Sequence, residues 1–413
     1  MSRTLNIAIV GYGTAGQAAA LFLSRKGHNL EIFERAPSLG PVGAGLLLQP
    51  TGQSVLAELG LLDAALACAA PVQQLFGSTR SGRVVMDMQY AKLDAACFGL
   101  GIQRGALFNL LRDAYPDHAK VRTGVTVTQI DAQKATLRDA DGGAHGPYDL
   151  LLLADGAASR LRPQPRVKRD APYPWGAFWC LCADPDQAFD GRLIQQYDGA
   201  SRFAGILPVG RLPGEPESAR QCSFFWSLRT AEFERVRAAG FETWQRAAAE
   251  YWPQSAPLLQ RIEGFERLAS ASYRDVVLDK FVEGRCVVLG DAAHAMSPQL
   301  GQGANMALMD AFELSQILER EANLEKALGA YDGSRRKHVC IYQLISRWLT
   351  PLFQSDSRVA ARLRDALFMP LGRAPIARGE MLKVLAGVKR GFFGSLPLTR
   401  ERERVAQLSE GGT

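Results

Sequence analysis

Residues 6–16 read Asn6-Ile7-Ala8-Ile9-Val10-Gly11-Tyr12-Gly13-Thr14-Ala15-Gly16. The apolar residues before Gly11 predict a short buried strand, and the alanine-rich residues after Gly16 predict a helix that ends near Gly27. Residues 30–33 predict a second strand, which ends at Glu34. The strand, the glycine turn, the helix and the second strand together form a βαβ unit with a crossover helix.

The three glycines of this turn have the spacing of a dinucleotide-binding fingerprint. Gly11 permits the tight turn, Gly13 lets the backbone approach a pyrophosphate, and Gly16 lets the helix pack on the strand. The amino end of the helix then presents N–H groups and a positive dipole end to phosphates. Glu34 lies 18 residues after Gly16, near the spacing of a carboxylate that binds ribose hydroxyls. The unit predicts a dinucleotide site, with a purely structural turn as the alternative.

The composition is that of a globular protein with two or three domains. The chain has 413 residues, of which 47% are hydrophobic and 22% charged, and these fractions exclude a disordered, collagen-like or coiled-coil chain. The net charge of +6 is scattered, so it indicates no nucleic-acid partner, although it would attract an anionic cofactor or substrate. No apolar run approaches the roughly 20 residues of a membrane-spanning helix.

Cysteine and histidine usage predicts a reducing compartment and no metal site. The seven cysteines include no Cys-x-x-Cys pair, and several lie in apolar runs such as residues 178–182. Buried reduced thiols and a cytoplasmic location are therefore expected, and the apolar stretch at the amino end is too short for a signal peptide. The five histidines lack metal-ligand spacing, so no bound metal is predicted.

The rest of the chain divides into an α/β frame and a sheet-rich middle. Aromatic-rich runs predict strands of a mixed or antiparallel sheet at residues 175–182, 192–197, 202–209 and 221–228. Further strands are predicted at residues 121–130, 135–139, 148–153 and 285–290, and helices at residues 51–70, 104–115, 231–251 and 305–318. Residues 163–175, with prolines and a basic cluster, predict a linker. Amphipathic helices are predicted over residues 340–400, broken at Pro351, Pro370 and Pro375.

Two later motifs carry a resemblance to a known family. Residues 151–160 read Leu151-Leu152-Leu153-Ala154-Asp155-Gly156-Ala157-Ala158-Ser159-Arg160. Residues 285–298 read Arg285-Cys286-Val287-Val288-Leu289-Gly290-Asp291-Ala292-Ala293-His294-Ala295-Met296-Ser297-Pro298, and the pattern Pro298-x-x-Gly301-x-Gly303-x-Asn305 continues them. With the fingerprint, they resemble the three motifs of single-component FAD-dependent aromatic monooxygenases, in the same order, over residues 5 to about 320. This family is similar in fold to para-hydroxybenzoate hydroxylase.

The resemblance implies an α/β fold with a Rossmann-like FAD-binding domain, an inserted mixed β-sheet substrate domain and a helical C-terminal tail. The FAD-binding domain is then discontinuous and takes residues 1–75, 97–165 and 280–335. The substrate domain takes residues 76–96 and 166–279, and the tail takes residues 336–413.

The resemblance also implies where FAD binds. Asp291 follows a strand, where its carboxylate can accept hydrogen bonds from a polyol, and Gly301 and Gly303 leave room for a planar ligand before a helix. Arg160 is a further candidate for a phosphate contact. The expected cofactor-binding residues are Gly11, Gly13, Ala15, Gly16, Glu34, Arg35, Gly45, Arg104, Asp155, Gly156, Asp291, Pro298, Gly301, Gly303, Ala304 and Asn305.

No catalytic residue is assigned from the sequence. The chain shows no Ser/His/Asp set and no paired carboxylates, so the chemistry is expected to belong to the cofactor. His294 lies inside the third motif and is interpreted as a structural or cofactor-side residue. Aromatic residues of the middle sheet are candidates for a water-excluding pocket, with ordinary sheet core as the alternative. The predicted pocket residues are Phe203, Phe224, Trp226 and Pro298.

The implied activity is that of an FAD- and NAD(P)H-dependent monooxygenase, which inserts one atom of O₂ into an electron-rich ring through a flavin C4a-hydroperoxide. A single dinucleotide fingerprint fits a donor, NADH or NADPH, that docks transiently. A flavin-dependent reductase or dehydrogenase acting on prenyl or quinone-like compounds stays open as the alternative. Residues 175–179 lack the Trp-x-Trp-x-Ile-Pro stretch of flavin halogenases, and the intact flavin motifs disfavour a non-enzymatic protein.

The expected partners are a small aromatic substrate and O₂, without nucleic acid. The chain is expected to be a monomer or a homodimer. The basic stretch over residues 383–393 is interpreted as packed on the body of the protein, so membrane contact is not expected.

Overall fold

The structure, a computed structural model, describes residues 4–40 and 43–397, so residues 398–413 of the predicted tail lie outside it. The α-helices are, in chain order, α1 (Thr14–Arg25), α2 (Pro50–Glu58), α3 (Leu62–Leu66), α4 (Arg104–Ala114), α5 (Phe233–Ala238), α6 (Phe241–Tyr251), α7 (Ala256–Leu259), α8 (Asp291–His294), α9 (Gly303–Arg320), α10 (Leu324–Phe353), α11 (Arg358–Arg373) and α12 (Pro375–Leu385). The strands are β1 (Asn6–Val10), β2 (Asn29–Glu34), β3 (Gly45–Leu48), β4 (Ala70–Thr79), β5 (Val84–Gln89), β6 (Gly99–Gln103), β7 (Val121–Thr123), β8 (Val127–Asp131), β9 (Thr136–Asp139), β10 (Ala144–His145), β11 (Leu150–Leu153), β12 (Val167–Ala183), β13 (Gly191–Asp198), β14 (Arg202–Gly210), β15 (Gln221–Arg229), β16 (Ala269–Leu278), β17 (Val282–Glu283), β18 (Cys286–Val288), β19 (Lys389–Arg390) and β20 (Gly394–Ser395).

A six-stranded sheet carries all three motifs. Its order is β17-β18-β11-β1-β2-β7, and every neighbouring pair is parallel except β17 with β18. Strands β1, β11 and β18 are almost wholly buried, as expected for central parallel strands that are covered on both faces. Because parallel strands end at the same edge, the turns after β1, β11 and β18 meet there and bring the three motifs together.

A mixed nine-stranded sheet forms the second layer. Its order is β16-β12-β15-β14-β13-β4-β6-β3, with β5 paired to β4, and only β13 and β4 run parallel. Strands β3 and β6, from the segments assigned above to the FAD-binding domain, thus join the strands of residues 167–278. The parallel sheet, the mixed sheet and the C-terminal helices confirm the predicted fold class. The domain boundaries remain predictions.

The two faces of the nine-stranded sheet have different neighbours. The outer face carries Phe224 and Trp226, which pack under α5–α7. Phe225, between them in sequence, points to the opposite face and pairs across strands with Trp179 and Gly205. We call this opposite face the inner face; its residues include Trp179, Phe203, Ser223, Phe225, Ser227 and Tyr273.

Several predicted boundaries differ from the structure. The predicted helix over 51–70 is divided into α2 and α3 and is followed by β4. The predicted helix over 231–251 is divided by Gly240, whose φ of 90° is a conformation that favours glycine. The predicted linker over 163–175 is mostly strand β12. Two of its prolines precede the strand, and Pro172 and Pro174 fall at a register shift between Pro172 and Gly176, an irregularity where a strand tolerates proline.

One of the three predicted breaks in the tail coincides with its proline, since α11 ends at Arg373 and Pro375 begins α12. Pro351 and Pro370 instead lie inside the last turns of α10 and α11. A proline deprives a helix of one hydrogen bond, and α10 and α11 end within three residues of Pro351 and Pro370. In the part of the chain that the structure describes, no helix is both long enough and apolar enough to cross a bilayer.

Candidate active site

In the turn after β1, close packing leaves no room for a side chain at Gly11 or Gly16, whereas Gly13 borders open space. A Cβ on Gly11, whose φ is 97°, would lie 2.5 Å from the carbonyl oxygen of Ala154. A Cβ on Gly16 would lie 2.0 Å from the carbonyl oxygen of Gly11, so α1 packs on the turn without space for a side chain. A Cβ on Gly13 would meet nothing within 4 Å, and no side chain caps α1. The amino end of α1 therefore faces open space, where its N–H groups can bind phosphate.

Glu34 lies beside this turn. Its carboxylate accepts hydrogen bonds from the N–H of Tyr12 at 2.7 Å and from the N–H of Ala36 at 2.9 Å. These bonds fix the carboxylate at the end of β2, and each oxygen keeps a lone pair for a further donor. A pair of ribose hydroxyls can bind there. Arg35 is exposed, and its charge acts on the carboxyl of Asp155 across the edge of the sheet.

Asp155 follows β11 and has an unsatisfied oxygen. Burial raises the pKa of its carboxyl, while a hydrogen bond with Ser159 and the charges of Arg162 and Arg35 act in the opposite direction. Its Oδ1 is buried and has no hydrogen-bond partner among the described residues. Because such an oxygen is costly to bury alone, it fits a ligand that donates a hydrogen bond. Gly156, with a φ of 86°, turns the chain next to it.

A buried arginine joins the second and third motifs. The guanidinium of Arg162 donates to the carbonyl oxygens of Ala157 at 2.5 Å, Ala292 at 2.6 Å and Ser159 at 2.7 Å. Arg162 is 3% exposed, whereas Arg160, the candidate chosen from the sequence, is exposed. The sequence signal that could have identified Arg162 is its place between two apolar neighbours. Arg162 holds the turns after β11 and β18 at a fixed separation.

The Gly-Asp turn brings Asp291 to the amino end of α9. A Cβ on Gly290 would lie 3.0 Å from the Cβ of Ala15 and 3.3 Å from that of Ala307, so the turn packs between α1 and α9. Asp291 is exposed, and its Oδ1 lies 3.6 Å from the position of a Cβ on Gly303, the first residue of α9. The carboxylate is therefore available to a ligand that lies across the amino ends of both helices.

The loop before α9 is held by a buried amide. Pro298 begins a 3-10 turn that ends at Gly301, whose φ is 60°. Asn305 Nδ2 donates to the carbonyl oxygens of Gly301 at 2.9 Å and Leu47 at 3.2 Å, and its Oδ1 accepts from the N–H of Gln49 at 2.9 Å. Because these partners use most of the capacity of the amide, Asn305 positions the loop against β3 rather than presenting a free group to a ligand.

Two glutamines that the sequence analysis missed line this loop. Gln49 Nε2 lies 3.9 Å from the position of a Cβ on Gly301 and has no hydrogen-bond partner among the described residues. Gln302 Oε1 is also buried without a hydrogen-bond partner among the described residues, while its Nε2 donates to the carbonyl oxygen of Leu385 at 2.7 Å. A donor and an acceptor thus lie beside the first turn of α9, where Ala304 is half-buried.

Of the predicted residues Arg104 and Gly45, only Arg104 is exposed. Arg104 begins α4, is exposed, and packs so closely on Gly43 that a Cβ there would lie 2.7 Å from the Arg104 Cδ. Gly45 donates its N–H to Ser223 Oγ at 3.2 Å, and a Cβ on Gly45 would lie 2.5 Å from Val209 Cγ1. Gly45 is therefore required by the packing of β3 on the inner face, and Arg104 is the residue of this pair that can reach a ligand.

The inner face presents an aromatic pair with a hydroxyl donor. Trp179 Nε1 donates to the hydroxyl oxygen of Tyr273 at 2.9 Å, and the ring centroids of Trp179 and Phe225 are 4.7 Å apart. Burial raises the pKa of Tyr273 to about 12, with the Trp179 hydrogen bond and the charge of Arg104 acting in the opposite direction. The hydroxyl keeps its proton at neutral pH and can donate a hydrogen bond to an acceptor on a ligand.

Only part of the predicted substrate pocket lies on the inner face. Phe203 does, with its ring centroid 5.5 Å from that of Phe225. Phe224 and Trp226 lie on the outer face, where the ring of Trp226 is 5.0 Å from that of Tyr251, so both belong to the sheet core. Strand alternation placed these two residues on one face, but only the packing of α6 shows that this face is turned away from the loop before α9.

A chain of polar side chains links the inner face to the loop before α9. Gln299, in the turn that Pro298 begins, donates from Nε2 to Gln354 Oε1 at 2.9 Å, and Gln354 Nε2 donates to Ser227 Oγ at 2.9 Å. Gln354 directly follows α10 and is 4% exposed. The inner face, the end of α10 and the loop therefore border the same region.

A buried ion network underlies the Gly-Asp turn. Asp310, in α9, accepts a hydrogen bond from the N–H of Gly290 and is hydrogen-bonded to His294 Nε2 and Arg335 Nε, each at 2.7 Å. Burial acts to raise the pKa of Asp310, but the charges of His294 and Arg335 outweigh it and lower the pKa to about 2. His294 is wholly buried in this network, which supports its interpretation as a structural residue.

The set of groups fits FAD. The amino end of α1 fits a pyrophosphate, Glu34 fits ribose hydroxyls, and the buried Oδ1 of Asp155 accepts from a donor. Asp291 faces the same edge, and the unpaired amide atoms of Gln49 and Gln302 match a ring edge that carries both donors and acceptors. Within the described residues, no group of three or more His, Cys, Asp or Glu is placed to hold a metal ion.

Comparison with protein families and known proteins also identifies an FAD-binding protein. The model of a family described as "FAD binding domain" matches residues 4–340. A putative 2-heptyl-3-hydroxy-4(1H)-quinolone synthase of Rhodococcus erythropolis is 28% identical over 397 residues, which cover 94% of this chain and 97% of that protein. Salicylate hydroxylase of Pseudomonas putida is 28% identical over 379 residues, which cover 82% of this chain and 83% of that protein.

A solved structure shares the whole fold. The crystal structure of Klebsiella pneumoniae HpxO in complex with FAD and uric acid matches with a TM-score of 0.77 at 21% identity. The match covers 93% of this chain and 97% of the other. Both sheets and the C-terminal helices therefore have counterparts in an FAD-binding protein.

Proposed function

Because the chain belongs to the family of FAD-dependent monooxygenases, we propose that it hydroxylates an aromatic ring that carries a carbonyl, phenolate or carboxylate oxygen, with NADH or NADPH as the electron donor. The observation that carries the proposal is the Tyr273 hydroxyl on the inner face. Trp179 occupies a lone pair of this hydroxyl and leaves its proton free, and the charge of Arg104 acts on it.

Residues of the three motifs would hold FAD. The N–H groups at the amino end of α1 would bind its pyrophosphate, Glu34 would bind ribose hydroxyls, and Asp155 and Asp291 would accept hydrogen bonds from the remaining hydroxyls. When bound, FAD supplies the electron transfer from NAD(P)H and the transfer of one oxygen atom from O₂. Arg162 maintains the spacing of the motifs through the carbonyl oxygens that it joins.

The inner face excludes water and orients the ring. Trp179, Phe203 and Phe225 form an apolar wall, and the end of α10 closes the region beside it. Exclusion of water prevents side reactions in which the oxygen is released as H₂O₂ instead of being transferred to the substrate. Tyr273 donates a hydrogen bond to the oxygen on the substrate ring, and Arg104 attracts the negative charge of that oxygen, so both select rings with such a substituent.

The compounds after which the relatives are named support this substrate class. They specify a 2-heptyl-3-hydroxy-4(1H)-quinolone, salicylate and, in a bound complex, uric acid. Each of these rings bears at least one oxygen substituent that can accept a hydrogen bond.

The direct test is incorporation of labelled oxygen. The purified holoenzyme is mixed with NADH or NADPH under ¹⁸O₂ in the presence of hydroxyquinolines, quinolones, aminobenzoates and phenols. We expect one ring class to accelerate NAD(P)H oxidation and to yield a product with one ¹⁸O atom. Substrate-dependent NAD(P)H oxidation that yields a reduced product without label would contradict the proposal and favour the reductase alternative. Dehydrogenation of the substrate without consumption of NAD(P)H would likewise contradict it and favour the dehydrogenase alternative.

Removal of the Tyr273 hydroxyl should impair substrate recognition and leave FAD binding intact. We expect Tyr273→Phe to lower kcat/KM by about 10- to 100-fold, because a hydrogen bond to a charged or strongly polar acceptor is worth roughly 1.5–3 kcal/mol. The measurement is steady-state product formation together with the flavin content. Tyr251→Phe is the matched control, since its hydroxyl donates to the carbonyl oxygen of Gln196 beyond the outer face. An unchanged kcat/KM in Tyr273→Phe would exclude this role.

A further inference from the structure

Helix α11 carries an apolar stripe that nothing in the described chain covers. Val359, Leu363, Leu367 and Leu371 recur at every fourth residue and are 74%, 50%, 46% and 45% exposed. Residues four apart lie on the same side of a helix, so the four side chains form one continuous strip. Exposed apolar residues that occur singly need no explanation, but a contiguous strip indicates an interaction surface.

The stripe is not the face that holds α11 on the protein. The core-facing side carries Ala361 and Arg364, which are 5% and 1% exposed, and the Arg364 guanidinium carbon lies 4.7 Å from the Tyr197 ring and 5.3 Å from the Phe353 ring. The ring of Phe368 is 5.4 Å from that of Phe353. These contacts already anchor the helix, and no residue that the structure describes covers the stripe.

Positive charge borders the stripe. Helical periodicity places Arg358, Arg362 and Arg373 on the adjoining strip of α11, all three are exposed, and none forms an ion pair with a residue that the structure describes. The neighbouring carboxylates are already engaged: Asp365 pairs with Arg364 at 2.6 Å. In the same way Asp356 pairs with Arg229, and Glu380 pairs with Lys383 and Lys389.

Two further exposed apolar side chains lie on the helices that pack against α11. Trp348 of α10 is 68% exposed, and Ile376 of α12 is 86% exposed. Tryptophan is favoured where one side of the ring is apolar and the other is wet. Each of the two helices that pack against α11 therefore also carries an exposed apolar side chain.

We propose that α11 docks this protein onto an anionic phospholipid surface. The stripe enters the boundary of the acyl chains, and the three arginines bind lipid phosphates, as in helices that lie in the plane of an interface. A second copy of the chain fits less well, because two such helices would bring six arginines together without a free carboxylate on α11 to pair with them. This surface lies on α11, outside residues 383–393, and the proposal departs from the expectation that the protein makes no membrane contact.

Vesicle cosedimentation of the full chain with bound FAD tests this proposal. We expect binding to vesicles of phosphatidylcholine mixed with phosphatidylglycerol, weaker binding at high salt, and little binding to pure phosphatidylcholine. The double variant Leu363→Gln/Leu367→Gln should lower the partition coefficient by about tenfold or more, because it removes apolar area from the interface. Its flavin content and its turnover in solution should equal those of the parent and so establish that it folds.

A matched variant separates α11 from the rest of the C-terminal region. Phe393 is fully exposed but lies in the 383–393 stretch, so Phe393→Gln should bind vesicles as the parent does. Absence of binding to anionic vesicles, or equal binding by the double variant, would overturn the proposal. A parent dimer in light scattering that the double variant loses would also overturn it, and would assign the stripe to a second copy.

Discussion

The Gly13→Val variant is expected to fold and to lose FAD. A Cβ at this position meets nothing within 4 Å, and the φ of −78° is one that any residue adopts, so the protein itself has room for the side chain. That same space lies at the amino end of α1, where the backbone approaches the pyrophosphate. We expect the Kd for FAD to rise by about 100-fold or more, equivalent to roughly 3 kcal/mol of steric conflict. Flavin absorbance after reconstitution and circular dichroism of the apoprotein measure the two effects separately.

Gly16→Ala supplies the matched contrast. Its Cβ would lie 2.0 Å from the carbonyl oxygen of Gly11, so backbone must shift even in the absence of a cofactor. We expect the apoprotein to be destabilised by about 3 kcal/mol, at the upper end of the usual effect of overpacking. If Gly13→Val purified with as much flavin as the parent, the turn after β1 would not be the pyrophosphate site.

Asp310→Ala is expected to have the largest effect on stability. The substitution leaves the Arg335 guanidinium and His294 buried without their shared carboxylate, and it removes the acceptor of the Gly290 N–H. Removal of one partner of a buried ion pair costs about 3–5 kcal/mol. Urea unfolding of the apoprotein measures this loss. Glu217→Ala is the control, because Glu217 pairs with Arg211 and Arg220 at the surface, where solvent screens the charges, and its removal should change the unfolding free energy far less than Asp310→Ala does.

The Asp310 network also predicts a pH dependence. The pKa of Asp310 is about 2 in the folded protein and lies below its ordinary value of 3.8, so its charged form stabilises the fold at any pH above about 4. As the pH falls from about 4 towards 2, this contribution is lost. The difference in unfolding free energy between the parent and Asp310→Asn should therefore shrink over that interval. A difference that stays constant from pH 6 to about 2 would show that the carboxylate charge does not stabilise the fold.

Local patterns determined the FAD-binding sheet and its motifs. The fingerprint, the strand ends at Asp155 and Asp291, and the spacing to Glu34 depend on residues near one another in sequence, and strand propensity and glycine turns act over the same short range. The predicted strands of the middle segment lie within a few residues of β12, β13, β14 and β15 for the same reason. The family resemblance and the α/β class follow from these elements.

Local patterns did not predict which side chains meet at the site, because these contacts join distant segments of the chain. Sequence alternation grouped Phe224 with Trp226, but the packing of α6 turned that face outward and left Trp179 and Tyr273 on the inner face. Arg162 likewise acts through a carbonyl oxygen 130 residues away in sequence.

The sequence by itself therefore determined the fold class, the cofactor motifs and the positions of most strands, since short-range propensity and periodicity encode them. Only the tertiary structure decided the inner face of the sheet, the packing role of Gly45 and Asn305, and the uncovered stripe on α11. Each of these depends on which faces are buried against which, and burial is a property of the packed chain rather than of any one segment.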